Sequence, residues 1–102
     1  MKFKKLFEAR LNLNPGVVKA LFNSRSNLSD RVKALEDMGV NVREDDYAVG
    51  EIFLPKDEVI RVDAQRAGYV KVELLDDYGE TLERDTFDSA SPLFKWLKRW
   101  AQ

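Results

Sequence analysis

The side chains that could do chemistry in this sequence are carboxylates, lysines, arginines and tyrosines, because the chain contains neither histidine nor cysteine. Nucleophilic sites that depend on histidine, metal sites built from imidazole or thiolate, and disulfides are therefore excluded. Residues 45–46 and 76–77 are aspartate pairs, but neighbours in an extended chain point apart and cannot share a proton. No glycine-rich phosphate loop is present, and residues 76–80 lack the alternating oxygen ligands of a calcium loop. We therefore expect no catalytic residue, cofactor or metal, and no enzymatic activity.

Charge is divided unevenly along the chain, although the net charge is only −1. Residues 1–33 carry a net charge of +6, residues 34–89 carry −10, and residues 90–102 carry +3. Such asymmetry is typical of a protein whose basic part faces a polyanion. Oppositely charged halves that attract each other within the fold would give the same pattern. The sequence leaves both interpretations open.

The stretch from Leu21 to Val42 shows the clearest local pattern in the chain. An apolar residue recurs every three or four positions, which predicts one face of a helix, formed by Leu28, Val32, Leu35 and Met38. Ser26 or Asn27 can cap its start, and with Asn27 as the cap, Asp30 has the spacing of a capping box. Gly39 is expected to end the helix, because glycine adopts the left-handed conformation at little cost.

Residues 18–42 resemble the winged helix-turn-helix family of DNA-binding domains. The resemblance is closest where a Ser-Arg-Ser turn at residues 24–26 leads into a helix that ends Leu-Glu-Asp-Met-Gly-Val at residues 35–40. In that family the second helix lies in the major groove of double-stranded DNA. The resemblance implies that the residues facing DNA are Arg25, Ser26, Asn27, Ser29 and Lys33, with Arg31 near a phosphate. Ordinary packing of two well-capped helices would give the same pattern.

The spacing of apolar residues in the rest of the chain predicts a single α+β domain that covers residues 1–102. Residues 1–39 are expected to form three N-terminal helices in a helix-turn-helix-like arrangement, at Lys2 to about Leu13, Pro15 to about Asn23, and Asn27–Met38. Residues 40–87 are expected to form an antiparallel sheet of four or five strands, because alternating apolar residues are separated by turn-forming residues. Gly50 indicates a bulge or a close approach of two backbones, and Gly79 suits a hairpin turn with positive φ.

Residues 91–101 are expected to form a final amphipathic helix that closes the fold. Ser91 can cap its start, Pro92 fits its first helical position, and its apolar face contains Leu93, Trp96, Leu97 and Trp100. This face could dock on the sheet, or Trp96 and Trp100 could form a homodimer contact. A helix at a membrane surface has similar features, but no apolar segment has the roughly 20 residues of a membrane span.

These observations favour a small nucleic-acid-binding regulator that uses residues 27–38 as its recognition helix, with double-stranded DNA as the partner. The alternative is a protein-binding or inhibitory module that acts through its sheet edge or its acidic face. The acidic segments 44–46, 57–58 and 76–77 could mimic nucleic-acid phosphates, or they could be ordinary solvated turns. A cytoplasmic location is compatible with the absence of cysteine.

Overall fold

The described chain contains two short helices, then a meander of five strands, and then a final helix. A computed structural model describes residues 13–44 and 47–101. The helices are α1 (Pro15–Ala20), α2 (Leu28–Asp37) and α3 (Ala90–Ala101). The strands are β1 (Asn41–Glu44), β2 (Val49–Phe53), β3 (Val59–Arg66), β4 (Tyr69–Leu75) and β5 (Thr81–Phe87). All neighbouring strands are antiparallel in the order β1-β2-β3-β4-β5. The α+β class, the antiparallel sheet and the C-terminal helix are confirmed.

The three predicted N-terminal helices are not all seen. Of the three helices in the described chain, two precede the sheet and one follows it. The first predicted helix lies outside the described residues except for Leu13, which is not helical. Helix α1 ends at Ala20 instead of continuing to Asn23. After Ala20 the chain continues as a turn, in which the N–H groups of Leu21 and Phe22 donate to carbonyls three residues earlier. The Asn23 side chain then accepts a hydrogen bond of 3.0 Å from the backbone N–H of Arg25, which stabilises this turn.

Helix α2 has the caps that the sequence predicts. The Asn27 side chain accepts a hydrogen bond of 2.8 Å from the N–H of Asp30, and the Asp30 carboxylate accepts one of 3.2 Å from the N–H of Asn27. At the other end, Gly39 has φ of 90° and donates to the carbonyl of Glu36, while Val40 donates to Leu35. These reciprocal bonds fix both ends of the helix by local interactions alone.

The helices cover one face of the sheet. Alternate residues of β2, β3 and β4 point towards them and are buried, namely Gly50, Ile52, Ile60, Val62, Ala64, Val70, Val72 and Leu74. The helices contribute residues such as Val18, Leu35 and Leu97, which are fully buried in the same cluster. Helix α2 contacts β1 and β3, whereas α3 contacts α1 and β5. The opposite face of β2–β5 carries half-buried and exposed residues, and none of the three described helices covers it.

Gly50 marks a close approach of two backbones, as its position in a strand predicts. A Cβ atom on Gly50 would lie 2.8 Å from the carbonyl oxygen of Asn41 and would also overlap the side chain of Val40. The register between β1 and β2 shifts between Val42 and Glu44, so an irregularity lies beside this contact.

Helix α3 docks on its own chain through Trp96, which is only 6% exposed. The Trp96 ring meets Phe87 edge to face with ring centroids 6.5 Å apart, and its Nε1 donates to Glu83 at 3.4 Å. Trp100 is half-buried and lies against Trp96, with centroids 6.4 Å apart. The expected homodimer contact through these two tryptophans has little support from this geometry, because Trp96 has almost no free surface.

Candidate functional site

The six residues expected to face nucleic acid lie around the start of α2, but they have different environments. Arg25, Asn27, Ser29 and Lys33 are exposed, Ser26 is half-buried, and Arg31 is buried. Asn27 is engaged as the cap of α2, so its side-chain oxygen is already occupied. The structure therefore displays Arg25, Ser29 and Lys33 most fully.

Arg31 lies inside the protein, whereas the resemblance implied that it lies near a phosphate. It is 5% exposed, and its Nε donates to the carbonyl of Ala64 at 2.7 Å. One terminal nitrogen donates to the carbonyl of Gln65 at 2.8 Å, and the other donates to the carbonyl and hydroxyl of Ser26 at 2.8 and 3.1 Å. These bonds join the loop before α2 to the end of β3.

The sequence contained a signal for this inward position of Arg31. Arg31 follows Leu28 by three residues and precedes Leu35 by four, so it belongs to the buried side of α2. An arginine there has to find hydrogen-bond acceptors, because a buried guanidinium without them is costly.

The exposed surface of α2 carries a net negative charge. Its exposed charged residues are Asp30, Lys33, Glu36 and Asp37, which sum to −2. Positive charge near the start of the helix therefore comes from Arg25 and Lys33. A helix that enters the major groove has DNA phosphates on both sides. The negative charge of these phosphates repels an acidic helix surface.

A second candidate site is a recess at one end of the sheet. The β2–β3 turn and the β4–β5 hairpin lie at the same end, because alternate connections of a meander share an end. The recess has a volume of about 340 Å³ and is lined by Phe53, Leu54, Asp57, Glu58, Val59 and Asp77. Three of these residues are acidic, and Phe53 is 45% exposed. We call this site the acidic recess.

Both loops of the acidic recess are held by hydrogen bonds. In the first loop, Leu54 donates to the carbonyl of Glu58 at 2.9 Å, and Asp57 donates to Leu54 at 3.2 Å. In the second loop, one carboxylate oxygen of Asp76 accepts from the N–H groups of Tyr78 and Glu80, each at 2.9 Å. Asp77 and Tyr78 are therefore presented from a fixed turn, and Tyr78 is 87% exposed. Gly79 has φ of 83°, as the hairpin prediction requires.

The acidic recess combines groups that suit a cationic side chain. Carboxylates bind ammonium and guanidinium groups through charge-assisted hydrogen bonds, and an apolar wall packs against the aliphatic stem of lysine or arginine. Within the described residues, no group of three acidic side chains is arranged to hold a metal ion. Sequence reasoning identified segments 57–58 and 76–77 separately but did not place them together. The segment 44–46 includes residues 45–46, which lie outside the described chain.

Comparison of the chain with protein-family models, with curated proteins and with solved structures finds no significant match. Across residues 13–44 and 47–101, no helix has both the length and the apolar character that crossing a bilayer requires. Function is therefore inferred from the geometry of these surfaces.

Proposed function

We propose that this chain is a protein-binding module that receives a basic segment of its partner in the acidic recess. The observation that carries the proposal is that Asp57, Glu58 and Asp77 line one recess together with the exposed ring of Phe53. A cytoplasmic setting, which the absence of cysteine permits, belongs to the same proposal.

Apolar and charged contacts would act together in this recess. Leu54 is buried and Val59 is half-buried, so the wall of the recess offers apolar surface beside the carboxylates. Exposed aromatic residues at such a pocket are frequent anchors of protein interfaces, and Phe53 lines the recess while the exposed Tyr78 follows Asp77 in the same hairpin. These contacts favour a partner segment in which basic and apolar residues alternate. A uniformly charged segment would leave the apolar wall without a contact.

Fluorescence anisotropy can test this proposal with labelled peptides that vary in lysine, arginine and leucine content. We expect the basic, leucine-bearing peptides to bind and an acidic peptide of the same length not to bind. The double substitution Glu58→Gln and Asp77→Asn keeps the side-chain shapes but removes two charges, so affinity should fall by about tenfold.

Glu36→Gln with Asp37→Asn is the matched control, because it removes two acidic charges from α2 and leaves the acidic recess intact. The control should bind the peptides with the affinity of the original chain. Equal binding by the recess variant and the original chain would reject the proposal.

A second candidate function is nucleic-acid binding by a helix-turn-helix formed by α1 and α2. The observation that favours it is the exposure of Arg25, Ser29 and Lys33 around the start of α2. Arg31 is not part of this proposed contact surface, because its N–H groups are bonded to Ser26, Ala64 and Gln65. The acidic balance of the exposed side of α2 makes this the second candidate.

An electrophoretic shift assay with random duplex DNA at two salt concentrations can test the second candidate. Binding through phosphates should weaken steeply as salt rises, and Arg25→Ala with Lys33→Ala should abolish it. The double substitution should leave the thermal midpoint nearly unchanged, because both side chains are exposed. Arg61→Ala with Lys71→Ala on the open sheet face, where both side chains are exposed, serves as a control of equal charge change. Binding that survives the α2 substitutions would exclude this helix as the contact surface.

A further inference from the structure

The open face of the sheet carries three rows of residues that run across the strands. Strand register sets these rows, because residues directly opposite each other in antiparallel strands point to the same face. The middle row is Glu51–Arg61–Glu73–Arg84, and the rows on either side are Val49–Asp63–Lys71–Thr86 and Phe53–Val59–Leu75–Thr81. We call this surface the open face.

Charges alternate in sign along the open face. Negative and positive residues follow each other across β2 to β5 in the middle row, and Asp63 lies opposite Lys71 in the next row. Three acidic and three basic residues give the part of these rows on β2–β5 no net charge. Such a neutral surface does not fit a polyanion or a strongly basic protein, both of which need charge of one sign.

We propose that the open face binds the same face of a second copy of this chain. The two copies are related by a two-fold axis that runs parallel to the strands, between β3 and β4. This contact differs from the acidic recess and does not depend on the function proposed for that recess.

The two-fold axis reverses each row, and reversal makes the rows complementary. Arg61 then faces Glu73 of the second copy, and Glu51 faces Arg84 of that copy. Asp63 likewise faces Lys71 of the second copy, while Val59 faces Leu75. Every charged residue in the rows therefore meets the opposite charge, and the self-complementarity is that of an isologous dimer.

Other symmetric arrangements place like charges together. An axis along the middle row would set Arg61 against Arg61 and Glu73 against Glu73. Edge-to-edge pairing of β5 centred on Arg84 or Asp85 would also oppose identical charges, which destabilises strand pairing. Charge complementarity therefore selects face-to-face contact with the axis parallel to the strands.

Contacts within one copy orient Glu73 and Arg84 of the open face without covering them. Glu73 accepts a hydrogen bond from the Thr81 hydroxyl at 3.2 Å and lies 3.9 Å from a terminal nitrogen of Arg84. The Arg84 side chain nevertheless remains 74% exposed and the Glu73 side chain 33% exposed. Both side chains therefore keep surface that a second copy can reach.

The size of the open face sets the expected affinity. The four strands of these rows, about 4.8 Å apart and five to eight residues long, give roughly 400 Å² per copy. A dimer would bury roughly 800 Å², below the standard size of stable interfaces, so we expect a weak dimer with dissociation in the micromolar range or weaker.

Charge reversal with mixing is the decisive experiment. Sedimentation velocity should show that the original chain dimerises between micromolar and near-millimolar concentrations. Arg61→Glu alone and Glu73→Arg alone each bring like charges together twice in a homodimer, so each should raise the dissociation constant by about tenfold or more. An equimolar mixture of the two variants restores every opposite-charge contact and should dimerise like the original chain.

If a substitution in the middle row prevents folding, Lys71→Asp and Asp63→Lys provide a second charge-reversal pair, because Asp63 faces Lys71 of the second copy. Each variant alone should weaken the dimer, and their mixture should restore it. Lys33→Glu on α2 is the control and should dimerise normally. Circular dichroism should show the native spectrum for each variant. The proposal would be overturned if the original chain is monomeric, if the single variants still dimerise, or if the mixtures stay monomeric. Loss of dimerisation with intact peptide binding would leave the acidic-recess proposal standing.

Discussion

Arg31 stabilises the contact between a helix and a sheet with one side chain. Its guanidinium bonds the carbonyls of Ala64 and Gln65, which lie where the register of β3 against β4 shifts between Asp63 and Arg66. Such an irregularity leaves backbone carbonyls without ladder partners, and buried carbonyls need donors. The planar guanidinium supplies several donors in fixed directions, which a lysine ammonium cannot do.

Replacing Arg31 with methionine tests this role. Methionine retains much of the apolar stem but leaves the carbonyls of Ser26, Ala64 and Gln65 without their donor, so we expect a loss of about 2–4 kcal/mol of unfolding free energy. Urea denaturation followed by circular dichroism measures this change. Arg25→Met, which alters an exposed arginine, should change stability by less than about 0.5 kcal/mol. Similar stabilities for the two variants would show that the buried hydrogen bonds contribute little.

The helices and strands show which features the sequence could specify. The Asn27 capping box, the glycine end of α2 and the β4–β5 hairpin were predicted because each depends on residues within five positions of each other. The five strands were predicted for a similar reason, since alternation is a local pattern. The early end of α1 was missed because the bond from Arg25 to Asn23 competes with helix continuation.

Features that combine distant segments could not be predicted from the sequence. Arg31 reaches acceptors 33 and 34 positions away, and the acidic recess unites two turns that are separate in the sequence. The burial of Trp96 against Phe87 likewise required the position of α3 on β5. In each case the residue types were evident, but their surroundings are set by tertiary packing.

The capping box makes a prediction for α2 as an element. Asn27→Ala removes the acceptor for the N–H of Asp30, so unfolding free energy should fall by about 1 kcal/mol. Urea denaturation of Ser29→Ala provides the comparison, because Ser29 is exposed, lies only two residues after Asn27 and should have a smaller effect. Equal losses in both variants would indicate that helix propensity, and not the cap, determines the change.

The whole molecule presents different chemistry on different sides. The described helices cover one face of the sheet, the open face carries alternating charges, and the acidic recess lies at one end. Among the described basic residues that precede the sheet, Arg31 bonds carbonyls and a hydroxyl, while Arg25 and Lys33 are exposed. Phe53 and Val59 belong to both the open face and the acidic recess.

This shared position predicts that partner binding and self-association compete. In the proposed dimer, Phe53 faces Thr81 of the second copy, so a peptide that packs on Phe53 removes that contact. Saturating basic peptide should therefore raise the dimer dissociation constant by about tenfold. Because coupling is reciprocal and the dimer has two recesses, dimerisation should weaken peptide binding at each recess by about the square root of that factor, roughly threefold. Sedimentation velocity with and without peptide measures the first effect. Arg61→Glu, which should remain monomeric, is the control because its peptide affinity should not change with protein concentration. A dimer that binds peptide as tightly as the monomer would show that the two surfaces act independently.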